Sequence, residues 1–282
     1  MIFRVAGNDL KGNLMTEIPE TIQAYRDKKW RREETLKVTK AAEVEQMVND
    51  VGFCLTLTDS RTSLPSVYVA VCGRRDVHAP KNVQKDEECS LAWVLKDEVM
   101  QRGNVYYSKL VKGRAMFVAP RLIPYFNAIH GVSKKLEKVT LTLDAQTILS
   151  TLRKEWESST GDLKEETKIT DRKRLTKGLD ELQKSMKVIP YEVIYKPKFT
   201  YLWTLAESRF ADQLAIKVSR EDAIRELAKV FLTMCGITLR GELAKAIGVP
   251  PKQAGYANHR LVDEGFAERI EDGVYKLKFI DL

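Results

Sequence analysis

Two groups of residues in this sequence have types and spacings that suit chemistry. The first is Trp93, Lys96, Asp97 and Glu98, with Tyr106 and Tyr107 close behind. A carboxylate there could position a water or stabilise an oxocarbenium-like centre, which is what cleaving a glycosidic bond requires. An aromatic ring beside it could stack on a base turned out of a helix. In that reading Asp97 or Glu98 activates the water, and Trp93 or Tyr107 supplies the stacking surface. The alternative is a run of adjacent charges at a helix end, paired and facing solvent.

The second group is basic. Leu175, Leu179 and Leu182 are spaced for one buried helix face, which leaves Arg172, Lys173, Arg174 and Lys177 on the other. Lys252, Gln253, Tyr256, Asn258 and Arg260 occupy the same place on a later helix, and Lys196, Lys198, Lys276 and Lys278 lie in the short alternating segments that follow each helix. Side chains on such a helix can reach base edges in the major groove, while lysines in a flanking hairpin neutralise phosphates. Here too a solvated face or a protein-docking surface is the alternative, and Asp263 with Glu264 would repel a phosphate brought to the later helix.

The elements that must hold these residues recur. A helix over 144–156 buries Ile148, Leu149 and Leu152; a short second helix follows from Thr160, and Thr170-Asp171 caps a third that runs to Met186. Strands over 188–195 and 199–205 then flank Lys196-Pro197-Lys198. Further on, Ser219 caps a helix whose apolar face ends at Gly236, Thr238 caps a short helix to Ile247, and Pro250-Pro251 opens a third to Gly265. Segments 266–270 and 274–278 flank Glu271-Asp272-Gly273, a hairpin turn. Three helices and a hairpin make a winged helix, a variant of helix-turn-helix.

Upstream the pattern is looser. The charged segment 20–34 reads as a peripheral helix with Tyr25 and Trp30 as its apolar contacts. A helical stripe from Ala41 to Val48 stops at Gly52, a strand spans 53–57, and a short helix opens at Pro65 and closes at Gly73. Residues 74–88 read as a loop, 105–107 and 115–118 as strands, 120–129 as a helix, and 133–138 as a linker. The expected fold is mostly α with small β-wings, an α+β class of tandem winged-helix domains. It divides into 1–138, a degenerate winged helix with added helices and strands, then 139–218 and 219–282.

Over 282 residues Lys and Arg outnumber Asp and Glu by 47 to 39, a formal +8 that suits a polyanionic partner. Cys54, Cys72, Cys89 and Cys235 form no CxxC pair and read as reduced core residues. The three histidines are far apart, so neither a metal site nor a cofactor is expected. Residues 1–5 do not open a signal peptide and no run has the length of a membrane span, which points to a soluble cytoplasmic protein. No GxGxxG, P-loop, HExxH or nucleophile elbow is present.

The stretch Asp171-Arg172-Lys173-Arg174-Leu175 to Leu179-Asp180-Glu181-Leu182-Gln183 resembles the middle winged helix of the AlkZ/YcaQ-type DNA glycosylases. Arg225-Glu226-Leu227-Ala228 and the final hairpin are similar to the family's C-terminal part, and Leu91-Ala92-Trp93 to Phe117-Val118-Ala119-Pro120 to the segment before its middle domain. The resemblance implies tandem winged helices, a monomer, and a connection with alkylated or crosslinked bases. Active members carry Gln-x-Gln or Gln-x-Asp, with an apolar middle residue, near the end of an N-terminal helix. The formal match here, Gln84-Lys85-Asp86, has a charged middle residue in a polar stretch, which implies a divergent relative. Three functions stay open: a duplex-DNA-binding protein related to DNA repair, an active glycosylase excising alkylated or crosslinked bases, and a transcription regulator or protein-docking scaffold.

Overall fold

The computed structural model describes residues 18–59, 61–78, 80–82 and 85–280; residues 1–5 and Gln84, singled out above, lie outside them. After helix α1 (Glu20–Lys29), one order of elements occurs three times: a helix, a strand, two helices and a hairpin. The first copy is α2 (Ala41–Val51), β1 (Phe53–Leu55), α3 (Val67–Cys72), α4 (Glu87–Arg102), β2 (Tyr106–Ser108) and β3 (Met116–Val118). Helices α5 (Ile123–His130) and α6 (Glu137–Thr140) lead to the second. That copy comprises α7 (Leu143–Glu155), β4 (Glu157–Ser159), α8 (Thr160–Thr167), α9 (Arg172–Lys184), β5 (Val188–Ile194) and β6 (Thr200–Leu205). Helix α10 (Ala206–Ala215) joins it to the third: α11 (Arg220–Cys235), β7 (Ile237–Thr238), α12 (Glu242–Ile247), α13 (Pro251–Asp263), β8 (Ala267–Glu271) and β9 (Val274–Leu277).

Each copy closes a three-stranded antiparallel sheet in the same spatial order, with its last strand in the middle: β1-β3-β2, β4-β6-β5 and β7-β9-β8. Three helices followed by a hairpin is the order expected from the sequence for the second and third copies. The turn from first helix to first strand also repeats, at Gly52 (φ 91°, ψ −47°), Trp156 (φ 67°, ψ −42°) and Gly236 (φ 73°, ψ −35°). Two copies use glycine, which has no Cβ to clash at positive φ. The middle copy holds a tryptophan there, 69% exposed.

Apolar side chains at helical spacing account for the cores. In the middle copy Ile148, Leu149, Leu152, Leu175, Leu179 and Leu182 bury a cluster of their own. The first and third copies share one larger core, in which Val44, Phe53, Phe117 and Phe126 join Leu227, Phe231 and Leu261. Helix α1 closes that assembly. The Trp30 Nε1 donates to the Met234 carbonyl at 2.8 Å, Arg26 Nε to Cys235 at 2.8 Å and Arg26 Nη2 to Ile237 at 3.2 Å, while the Tyr25 hydroxyl reaches Thr233. The last carbonyls of a helix have no partner within it, so α1 is a built-in cap for the end of α11 rather than a peripheral helix.

Several local expectations change. The helix expected from Pro65 begins at Val67, because the Ser66 hydroxyl accepts the Val69 amide at 3.1 Å and so caps it. Thr238 is no helix cap: it pairs with Tyr275 in the sheet, and α12 starts after Gly241 at φ 78°. Residues 133–138 are no open linker, since a 3-10 turn over Lys134–Leu136 runs into α6. Helix α10 has no side-chain cap and starts where β6 stops, leaving no punctuation in the sequence. Among the described residues no helix is long and apolar enough to cross a membrane.

Candidate nucleic-acid interface

Helix α9 is the third helix of the middle copy. The Asp171 carboxylate caps it by accepting the Lys173 amide at 2.7 Å, and Leu175, Gly178, Leu179 and Leu182 turn inward. Arg172, Lys173 and Lys177 are therefore exposed, and none has a side-chain hydrogen bond or ion pair within the described residues. Arg174 departs from the expectation. Its Nε and Nη2 grip Asp144 at 2.9 and 2.6 Å, a bidentate pair that ties α9 to α7 instead of presenting a free cation. Beyond α9, the hairpin of β5 and β6 carries Lys196 and Lys198 at an exposed tip, again without ionic partners. Tyr195 and Phe199 flank them, 55% and 48% exposed, with ring centroids 5.7 Å apart.

The third copy presents less free charge. Lys252, Gln253 and Tyr256 are exposed on α13, as expected. Arg260 is held by Glu221 at 3.3 Å and Asp222 at 3.5 Å. Asn258 is buried because it lies on the inward stripe with Ala254, Ala257 and Leu261. Lys276 is buried too, its ammonium donating to the Ile280 carbonyl at 2.7 Å with Glu268 at 3.3 Å; Lys278 stays exposed. Arg225 pairs with Glu226 and Glu264, and Arg269 with Asp272 in the wing. Much of this copy's cationic charge is neutralised internally.

In the first copy the third helix is α4, which carries the carboxylate and aromatic cluster. Its outer face is not open to a groove, because β5 of the middle copy packs across it. Lys96 is 1% exposed. Its Nζ lies 2.6 Å from Asp97 Oδ1, 3.2 Å from the Tyr201 hydroxyl and 4.1 Å from the Trp93 ring centroid. The other oxygen of Asp97 accepts from the Tyr195 hydroxyl, whereas Oδ1 is buried against the Lys96 ammonium and accepts no hydrogen bond among the described residues. Loss of solvent, and then the Asp97 charge, push the Tyr195 phenol upward, which keeps that hydroxyl a donor.

Trp93 is half-buried beside Lys96, while Glu98, one step round the helix, is exposed. Tyr107 cannot be a stacking surface: it is 7% exposed, within the sheet, with its ring centroid 5.0 Å from that of Phe117, and burial pushes its phenol well up. Tyr106 is buried against Phe210. A groove of about 240 Å³ opens next to Asp97, lined by Val94, Glu98, Glu192 and Tyr195 among others. Glu192, Tyr195 and Tyr201 are the parts that sequence reasoning missed, since they arrive from a different copy. Asp86, half of the formal Gln-x-Asp match, caps α4 by accepting the Cys89 amide at 2.7 Å.

The profile of the AlkZ-related family matches residues 38–248, three quarters of the chain and all of the first two copies. The chain belongs to the AlkZ-related family. Among solved structures, the Streptomyces sahachiroi DNA glycosylase AlkZ has the same fold, with a TM-score of 0.54 at 12% identity over 91% of this chain and 69% of that one. No curated protein sequence matches the chain. Within this AlkZ-related fold the middle copy carries exposed cations, without ion pairs among the described residues, on both its third helix and its hairpin. The carboxylate groove lies where that hairpin meets the first copy.

Proposed function

We propose that the chain consists of winged-helix domains over 1–138, 139–218 and 219–282, and binds duplex DNA in the service of repair. The middle domain makes the contact, with α9 in the major groove and the β5–β6 wing on the backbone. One observation carries this reading: Arg172, Lys173, Lys177, Lys196 and Lys198 are exposed on the helix and wing that winged helices use, and none is held in a close ion pair within the described residues, although Asp144 attracts Lys177 from a distance. Cations held ready for phosphates displace condensed counterions, and that release drives binding. The open part of α4 beside Asp97 carries Glu98, which repels phosphate, and Arg260 is already paired. Fluorescence anisotropy with a labelled duplex tests it. Arg172→Glu with Lys177→Glu should weaken binding at least about tenfold, and unchanged affinity would refute the proposal.

A second reading, base excision, has its own support. The groove beside Asp97 brings Glu98 and Glu192 together with the Tyr195 ring. Phosphate would be repelled there, whereas an alkylated purine that carries a positive charge would be attracted and could stack. Asp97 would then activate the water, once Tyr195 or Lys96 releases one of its oxygens. Release of 7-methylguanine from a methylated duplex, lost in Asp97→Asn with the fold intact, is the expected result. Absence of release from a panel of alkylated duplexes would remove this reading and leave the first standing.

A further inference from the structure

Among the described residues Lys96 and Lys276 are the buried amines, and Lys276 is tied to the Ile280 carbonyl. Lys96 is 1% exposed, yet no carbonyl of the core ties it down; its neighbours are one carboxylate, one phenol and two ring faces. A lysine enclosed in this way is suited to attack a carbonyl, because its amine is held in a single place and water is kept out. Asp97 Oδ1, 2.6 Å away, is buried and accepts no hydrogen bond among the described residues, so it is an acceptor open to the ammonium proton once the two side chains turn toward each other.

We propose that Lys96 forms an imine with the aldehyde carbon of an abasic deoxyribose, which makes this a site for abasic DNA. The step balances without an oxidant or reductant. The Lys96 ammonium gives a proton to Asp97, and the free amine adds to C1′ of the ring-opened sugar. Asp97 returns the proton to the carbinolamine hydroxyl, which leaves as water, and a protonated imine remains. The cover over the amine is part of the same device. Tyr195 and Tyr201, which close over Lys96 and Asp97, belong to the hairpin whose tip bears Lys196 and Lys198. A phosphate backbone drawing that tip toward itself uncovers the amine, so the site opens when DNA is present. The inference rests on the DNA-binding reading, and is independent of whether Asp97 ever activates water.

The test is borohydride trapping on the full chain with a duplex holding one abasic site. The expected result is a covalent adduct that survives denaturation and maps by peptide mass to Lys96. Lys96→Arg keeps the positive charge but cannot form the imine, and should reduce the adduct at least tenfold while duplex affinity is retained. Tyr195→Phe should speed trapping severalfold. No adduct under conditions where the duplex is bound, or an adduct mapping to Lys196 or Lys198, overturns the proposal and leaves DNA binding intact. If no duplex is bound at all, the DNA reading fails by itself. Trapping of free 2-deoxyribose 5-phosphate by Tyr195→Phe, whose cover is loosened, then decides the chemistry: labelling at Lys96 supports the reactive amine, and its absence overturns it.

Discussion

The Tyr195 hydroxyl donates to the carboxylate of Asp97, joining the wing of the middle copy to the third helix of the first. That bond makes the wing both a candidate DNA contact and the lid of the acidic groove. It joins a half-exposed ring to a largely buried carboxylate, so Tyr195→Phe should cost only about 1 kcal/mol in urea unfolding. Amide exchange in β5 and β6 should quicken more than in α9. Equal protection of β5 and β6 in the two proteins would show that the bond does not hold the wing down.

Trp156 occupies a backbone conformation that the other two copies give to glycine. Such strain costs on the order of 1–3 kcal/mol, and the mostly exposed ring recovers little by burial. Against this, glycine gives the unfolded chain more freedom, a penalty of roughly 0.5–1 kcal/mol. Trp156→Gly should therefore leave stability unchanged or raise it by up to about 2.5 kcal/mol. A clear loss in denaturant unfolding would mean that the ring makes a contact its exposure does not suggest.

Arg26 is 3% exposed and donates to the Cys235 carbonyl at the end of α11 and to the Ile237 carbonyl in β7. Arg26→Met keeps much of the side-chain volume but leaves those carbonyls without their donor. The expected loss is about 2–3 kcal/mol, read as a lower denaturant midpoint with an unchanged slope. A midpoint close to the wild type would show that α1 is not a cap for the C-terminal copy.

Glu137 is 6% exposed and meets Arg153 at 2.8 Å and Lys187 at 2.7 Å. The hydrogen bond from Arg153 first, and then that from Lys187, pull its carboxyl down to about 2 from the ordinary 4.5. A carboxylate whose folded value is depressed stabilises the fold above its unfolded value, and that contribution disappears as pH falls through the folded one. The stability difference between wild type and Glu137→Gln should thus be constant above about pH 5 and shrink toward about pH 2. A gap that does not change with pH would assign the effect to packing rather than to charge.

How much could be read beforehand differed between the copies. The second and third have Leu or Ala at helical spacing, caps at Thr142, Ser159, Asp171 and Ser219, and turns at Gly236 and Gly273, so their elements are local facts. The first copy has short strands and a broken stretch before α4, and its identity appears only when β1 and β2 are seen to pair with β3. Exposed cations were legible from the stripe opposite the leucines of α9. Their availability was not, because whether Arg174 or Arg260 is free depends on Asp144 and Glu221, which are distant in sequence. The groove was half legible: α4 supplies Asp97 and Glu98, but nothing near them announces Glu192 or Tyr195.

The central claim is that phosphate contacts come from α9 and the wing of the middle copy, and a salt titration tests it most directly. Affinity for a short duplex is measured across potassium chloride concentrations for the wild type, for Arg172→Glu with Lys177→Glu, for Lys196→Ala with Lys198→Ala, and for Arg260→Ala. Each phosphate contact contributes about −0.9 to the slope of log affinity against log salt. The first two variants should therefore each bind more weakly and lose roughly one to two units of slope. Arg260→Ala should match the wild type. Unaltered slopes in both middle-copy variants, or a loss confined to Arg260→Ala, would contradict the account.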